Sequence, residues 1–149
     1  MLLRRDRVMV AVTVMLEVAF HGSRTATVSA ADIADRLGLA RRGMEPVLQA
    51  LSRAGLLESA RGPRGGYRLG RPARDISLAD IAAAAAAEGN GGAEGPGGRL
   101  HEAVIAQLWS EYDRKLHGQF AAINLDELLK RAAAAGLRRP AAEPISFAI

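Results

Sequence analysis

The sequence predicts a mostly α-helical chain with one small β-wing. Three observations carry this. Alanine and leucine dominate while aromatic residues make up only 4%, a balance that favours helix over sheet. Apolar residues recur at three- and four-residue spacing through long stretches, the mark of amphipathic helices. One stretch breaks that pattern. Ala60–Gly70, ARGPRGGYRLG, sets glycines, a proline and arginines between two strand-like ends, as a hairpin tip requires.

The elements follow in order. Arg5–Phe20 is a first helix, with Val8, Val12, Met15 and Ala19 on one face and Val14, Leu16 and Phe20 widening it. His21-Gly22 stops it, His21 being a solvated or capping histidine. Thr25–Val28 is β-branched and short, a minor strand. Ser29 is an N-cap, with Asp32 as the acidic half of a capping-box-like start. Ala30–Leu37 is the second helix, with Ile33, Ala34 and Leu37 inward, and Gly38 ends it. Leu39–Arg42 is a turn, with Leu39 expected to plug the core. The third helix spans Arg42–Ala54. Pro46 limits its start and belongs in or just after the first turn, unless the helix is locally distorted. Val47, Leu48 and Leu51 form its buried face. Arg41, Arg42, Glu45 and Gln49 are left outside. Gly55 is the stop, Leu56-Leu57 begins the first wing strand and Tyr67-Arg68-Leu69 is the second. Ile76-Ser77-Leu78 leads into a fourth helix, N-capped by Ser77 with Asp80 at the third position, reaching about Ala87.

Two helices joined by a tight turn and followed by a glycine-tipped hairpin read as a winged helix-turn-helix over residues 1–87. Glu88–Gly98, EGNGGAEGPGG, is a flexible loop by composition. Residues 99–135 form the C-terminal unit. Its long helix, Arg99–Ala122, carries Leu100, Val104, Leu108, Tyr112, Leu116 and Phe120 at four-residue spacing, with Ile105, Trp109 and Ile123 beside them. Such a stripe beyond a small domain needs a partner surface, and a dimer helix supplies one. Packing against the first helix is the alternative, and both can hold on different faces. A short helix starting at Asn124 or Asp126 runs through Leu125, Leu128 and Leu129 to Gly136. Residues 136–149 are a tail that is ordered only if it docks.

Charge sharpens the functional reading. Residues 1–75 hold thirteen arginines and seven acids, whereas residues 76–149 hold seven lysines and arginines against nine acids. The positive half is the half with the wing, as expected if that end meets phosphates. Arg61, Arg64, Arg68, Arg71 and Arg74 fall within fourteen residues with no acid between them. The chain has no cysteine, which excludes disulfides, thiolate catalysis and cysteine-held metal or iron–sulfur centres. Basic Met1–Arg7, apolar Val8–Phe20 and Val28-Ser29-Ala30 superficially suggest a signal peptide. Asp6 and Glu17 interrupt that pattern, so the amphipathic helix is preferred. No apolar run approaches the roughly 20 residues of a membrane span, and a cytoplasmic location without membrane partners is expected. No nucleophile–base pairing, Walker-type loop or HExxH spacing is present. The paired carboxylates Asp32/Asp35 and Glu111/Asp113 suit helix capping and solvated faces, so catalysis is not expected.

Asp32-Ile33-Ala34, the Met44–Leu51 segment MEPVLQAL, Ala54-Gly55-Leu56-Leu57 and the Arg61–Leu69 segment RGPRGGYRL resemble the Rrf2 family of bacterial transcription regulators. Ile76–Ile81, Trp109 and Ile123–Leu129 extend the likeness to about residues 1–130, and the RGPxGGY wing is its most specific part. The resemblance implies a homodimer in which each subunit donates its long helix to a crossed pair, through Leu100, Val104, Leu108, Trp109, Tyr112, Leu116 and Phe120. It implies that the third helix enters the major groove of double-stranded DNA, with Arg42 and Glu45 at base-reading positions. Arg61 falls at the family's minor-groove arginine. Many relatives hold an iron–sulfur cluster on three cysteines in the loop before the long helix. Here that loop has none, and His101 alone makes no cluster site. No cofactor and no metal are expected, and a sensor, if there is one, is a small-molecule effector or a partner protein.

The expected chemistry is binding. Arg41, Arg64 and Arg68, with the backbone N–H groups of Gly65, Gly66 and Tyr67 and the Gln49 side chain, line the DNA-facing surface and set register on phosphates. Arg42 can donate twice to guanine and Glu45 can accept from a cytosine amine. Arg61 suits a narrow, electronegative minor groove. Two-fold symmetry implies a pseudo-palindromic operator and a repressor or activator. A winged-helix protein-interaction module, or a regulator that needs an effector before it reads DNA, are the rival readings. An effector cavity between the first helix, the long helix and the glycine-rich loop is left open.

Overall fold

A computed structural model describes residues 5–63, 65–87 and 95–140. The chain order is α1 (Arg5–His21), α2 (Ala30–Leu37), α3 (Arg41–Arg53), β1 (Leu57–Ala60), β2 (Gly66–Leu69), α4 (Leu78–Ala87), α5 (Ala106–Ala121) and α6 (Leu125–Ala134). A 3-10 turn at Ala73–Asp75 precedes α4, and a π-helical turn at His101–Ile105 opens the long helix. The mostly helical class with a two-stranded wing is as the sequence predicts. Arg64, residues 88–94 of the glycine-rich loop and residues 141–149 of the tail lie outside the described residues.

The core is built around α1. Ala11, Val14, Met15 and Val18 are sealed against Ile33 of α2, Met44, Leu48 and Leu51 of α3, and Ile81 of α4. The alanines of α4 explain how closely it lies on α1. Ala82 and Ala85 are buried, and a methyl group on each keeps the two helices near contact. Leu125 of α6 is also fully buried in this same core. Its placement depends on a short antiparallel bridge. Leu78 N–H donates to the Ile123 carbonyl at 2.9 Å and Leu125 N–H to the Ile76 carbonyl at 2.8 Å, so the starts of α4 and α6 are zipped together.

Local capping chemistry sets most boundaries. Asp32 N–H donates to Ser29 Oγ at 3.1 Å. Ser77 and Asp80 form a full capping box: Ser77 N–H donates to Asp80 Oδ2 and Asp80 N–H to Ser77 Oγ, both at 3.0 Å. Glu127 N–H donates to Asn124 Oδ1 at 2.9 Å, which decides for Asn124 over Asp126 as the start of α6. At the end of α2, Gly38 takes φ 63°. Its N–H reaches the Asp35 carbonyl and Leu39 N–H reaches the Ala34 carbonyl, the paired bonds of a Schellman turn.

That turn corrects one expectation. It carries Leu39 outward, leaving it 41% exposed rather than plugging the core. Met44 is the fully buried residue at that end of α3 instead. Two further differences are smaller. Of Thr25–Val28 only Val28 pairs with another strand. Helix α3 begins at Arg41, so Pro46 sits in its second turn and the Arg42 carbonyl receives no N–H from it.

The wing is locked to the helix-turn-helix by its own third partner. Strands β1 and β2 pair antiparallel with Glu58 opposite Arg68 and Ser59 opposite Tyr67. Val28 adds a one-residue bridge: Val28 N–H donates to the Tyr67 carbonyl at 2.9 Å and Tyr67 N–H to the Val28 carbonyl at 2.8 Å. This close approach needs glycine next door, because a Cβ on Gly66 would lie 2.7 Å from the Val28 carbonyl oxygen.

Two substitutions test this architecture. Leu125→Ala is expected to cost about 2–5 kcal/mol in urea unfolding, as for a well-packed core leucine. A loss below about 0.5 kcal/mol, the range of surface changes, would place α6 outside the core. Gly66→Ala is expected to break the Val28–Tyr67 bridge, which faster amide exchange at both residues will show. Unchanged protection would mean that the backbone absorbs the methyl group.

Candidate nucleic-acid interface

Helix α3 presents one polar ridge. Its inner face is fixed by Met44, Val47, Leu48 and Leu51, all buried. At 3.6 residues per turn this leaves Arg41, Arg42, Glu45 and Gln49 on the opposite side, and all four are exposed. They are the four residues that the sequence singles out there, and the fold brings them onto one ridge. Ala40 offers no side-chain cap to this helix.

The wing supplies a second exposed feature. The connection is short, since Gly55 ends α3 and Leu56-Leu57, both buried, start the hairpin. Arg61 stands exposed at the strand end. Gly65 N–H closes the tip on the Gly62 carbonyl at 2.8 Å. Gly65 and Gly66 are half-buried. Tyr67 is also half-buried and packs against the core, so its side chain anchors the wing while its backbone carries the Val28 bridge. Contrary to the sequence expectation, the Gly65 and Tyr67 N–H groups are engaged within the chain and not left for phosphate. Arg68 is engaged at 3.0 Å by Glu58 across the hairpin. An exposed pair of this kind contributes little stability, but it holds the Arg68 guanidinium against the facing strand.

The long helix is bare in the single chain. None of the α5 side chains is buried. Leu100 is 83% exposed and Tyr112 50%, and Val104, Leu108 and Trp109 are exposed beside them. Leu116 is half-buried. Phe120 differs from the rest of the stripe, because it packs against the chain's own core. On the solvent side Lys115 donates to Glu111 at 2.9 Å. That hydrogen bond, reinforced by the charge of Lys115, holds the Glu111 carboxyl below its ordinary range and raises Lys115 above its own. The pair therefore supports the helix above the carboxylate titration and below that of the ammonium. Its effect is lost as pH falls through the lowered Glu111 value or rises through the raised Lys115 value. Salt screens it, both groups being fully exposed.

Sequence reasoning missed a residue that ties the C-terminal segment down. The Arg139 guanidinium donates to the Ala19 carbonyl at 2.8 Å and to the Phe20 and Gly22 carbonyls at 3.4 Å. These are the unpaired carbonyls at the end of α1, where a cation also meets the negative pole of the helix. A contact spanning about 120 residues leaves no local trace in sequence. Arg139 also borders a cleft of about 490 Å³ between the end of α1, the wing root and α6. The cavity that the sequence leaves open, among the first helix, the long helix and the glycine-rich loop, includes residues 88–94, outside the described residues; this cleft is a different one. His21, at the end of α1, lies 3.2 Å from the Glu17 carboxylate. Among the described residues no group of three or more His, Cys, Asp or Glu side chains could hold a metal, and no helix is long and apolar enough to cross a membrane.

Comparison with known proteins places this geometry. The sequence model of the Rrf2 family, described as iron-dependent transcriptional regulators, matches residues 5–131. The HTH-type transcriptional regulator IscR of Photobacterium profundum is 38% identical over 125 residues, covering 80% of this chain and 71% of the relative. IscR of Klebsiella pneumoniae is 36% identical over 126 residues, with 80% and 74% covered. Among solved structures, T. potens IscR superposes with a TM-score of 0.67 at 28% identity over 90% of both chains. CymR, the global cysteine regulator of B. subtilis, gives 0.64 at 26% identity over 84% of this chain and 94% of its own. The relatives are transcriptional regulators and not enzymes. A winged helix with an exposed reading ridge and a family match across most of its length identify the chain as a DNA-binding transcriptional regulator of the Rrf2 family.

Proposed function

We propose that the chain is a homodimeric, sequence-specific transcriptional regulator that binds a pseudo-palindromic operator and works without an iron–sulfur cluster. The observation that carries this reading is the exposed Arg41–Arg42–Glu45–Gln49 ridge of α3 beside a wing whose root is fixed in place. Arg42 donates to guanine O6 and N7, and Glu45 accepts from a cytosine amine on the same helix face. Arg41 neutralises phosphate, as does Arg64, whose position is read from sequence. Arg61 enters the flanking minor groove. Arg68, turned to Glu58 at 3.0 Å, is the least available of the wing cations.

The dimer follows from α5. A helix with Leu100, Val104, Leu108, Trp109 and Tyr112 in water presents more contiguous apolar surface than a monomer carries well. Pairing two such helices about a two-fold axis covers it and separates two reading helices by roughly one turn of DNA. The case against a cluster rests on the donor set. The chain has no cysteine, and thiolates are what hold such clusters. A regulator in a family described as iron-dependent therefore takes its signal by another route.

Selection of genomic fragments by the purified protein, aerobically and without added metal, tests the reading. One pseudo-palindromic motif is the expected result. Sequence-blind, salt-sensitive binding alone would favour a regulator that needs an effector, and no DNA binding would favour a protein-interaction module. Arg42→Ala is expected to cost about 1–3 kcal/mol on the operator and to relax a single position, measured by competition with single-base variants; equal weakening on every sequence would make Arg42 a phosphate contact. Trp109→Glu is expected to shift sedimentation from dimer to monomer and to abolish cooperative occupation of both half-sites. A dimer that persists would move the interface off this helix.

A further inference from the structure

The cleft of about 490 Å³ has the size of a small-molecule site. Its apolar lining is Leu69 of β2 and Leu129 of α6, with Val18 of α1, itself sealed in the core, at its edge. Arg24, Arg68, Arg71 and Arg139 stand around it, against two carboxylates, Glu58 and Asp126. Both carboxylates are already engaged: Glu58 by Arg68 at 3.0 Å and Asp126 by Lys130 at 3.4 Å. Among the described residues, Arg24, Arg71 and Arg139 have no carboxylate partner. Arg139 is moreover held in place by its Nε and Nη2 N–H groups on the Ala19, Phe20 and Gly22 carbonyls, which leaves Nη1 to donate to a ligand. Those acceptors fix its direction but do not neutralise it. A positioned guanidinium with a second arginine nearby suits a carboxylate.

We propose that this cleft is a binding site for an amphipathic organic acid, whose apolar body lies on Leu69 and Leu129 and whose carboxylate is held by Arg139 and Arg71. Nucleic acid is a poorer match. No residue of α3 lines the cleft, and Leu69, opposite Leu57 in the hairpin, marks the end remote from the Gly62 tip. The site is nevertheless placed to be read by the wing. Leu69 and Arg68 belong to β2, the strand whose Tyr67 bonds Val28, and an added carboxylate competes with Glu58 for Arg68. This link to the wing rests on the regulator reading above, whereas occupancy of the cleft does not.

Calorimetric titration of the full chain, without DNA, with straight-chain carboxylates from butanoate to decanoate tests it. Saturable binding of one acid per chain is expected, with octanol and inorganic phosphate each at least about tenfold weaker than octanoate. Arg71→Gln and Arg139→Gln are each expected to weaken octanoate about fivefold. Arg71→Gln leaves the α1 cap untouched, so it keeps the test valid if Arg139→Gln lowers stability. Failure of every acid to saturate, octanol or phosphate binding as tightly as octanoate, or full affinity in Arg71→Gln would each overturn the proposal. Because no DNA is present, the titration can fail while operator binding stands, and operator binding can fail while the cleft fills.

Discussion

Two hydrogen bonds between Val28 and Tyr67 hold the reading surface together. They join the segment entering the helix-turn-helix to the return strand of the wing. A two-stranded hairpin this short is marginal alone. Here it gains a third partner, a buried root at Leu56 and Leu57, and a half-buried Tyr67 against the core. The angle between wing and reading helix is thus a property of the core. On the function proposed above, changes at Gly66 or Val28 would act on DNA recognition through the placement of the wing.

The long helix shows how one repeat can face two surfaces. A four-residue repeat on a helix of about 100° per residue advances about 40° at every step. From Leu100 to Phe120 the stripe therefore winds around the helix, and the wider π-helical turn at His101–Ile105 removes part of that rotation. This accounts for the gradient of exposure. Leu100 is in water, Leu116 is half-buried and Phe120 packs on the chain's own core. Of the two surfaces that the spacing leaves open, a partner helix and the first helix, the chain itself offers neither over most of the length: α5 packs chiefly on α4, Phe120 reaches the core, and the stripe from Leu100 to Tyr112 stays exposed.

What was legible in the sequence was what local chemistry decides. Ser29, Ser77 with Asp80, and Asn124 name helix starts because their side chains bond backbone groups three residues away. The α3 ridge was legible because a helix's buried face dictates its exposed one. Leu39 was not, because its direction depends on the backbone of the turn rather than on its own hydrophobicity. Nor were Arg139 on the end of α1, the cleft beside it, or Arg68 turned to Glu58. Each depends on which distant segments meet, and spacing along the chain carries no such information. The family resemblance lent the ridge and Arg61 their roles, but it says nothing of that cleft.

Pro46 gives the reading helix an uneven stiffness. With no N–H at that position the Arg42 carbonyl drops out of the helical ladder. The first turn is joined to the rest of α3 by one bond fewer than a continuous helix provides. Its load is Arg41 and Arg42, while the well-anchored turns behind it carry Met44, Leu48 and Leu51. The helix is fully bonded along the turns that meet the core and one bond short at the turn that holds Arg41 and Arg42. On the function proposed above, that turn would let Arg41 and Arg42 adjust to a duplex while the buried face of α3 stays in place.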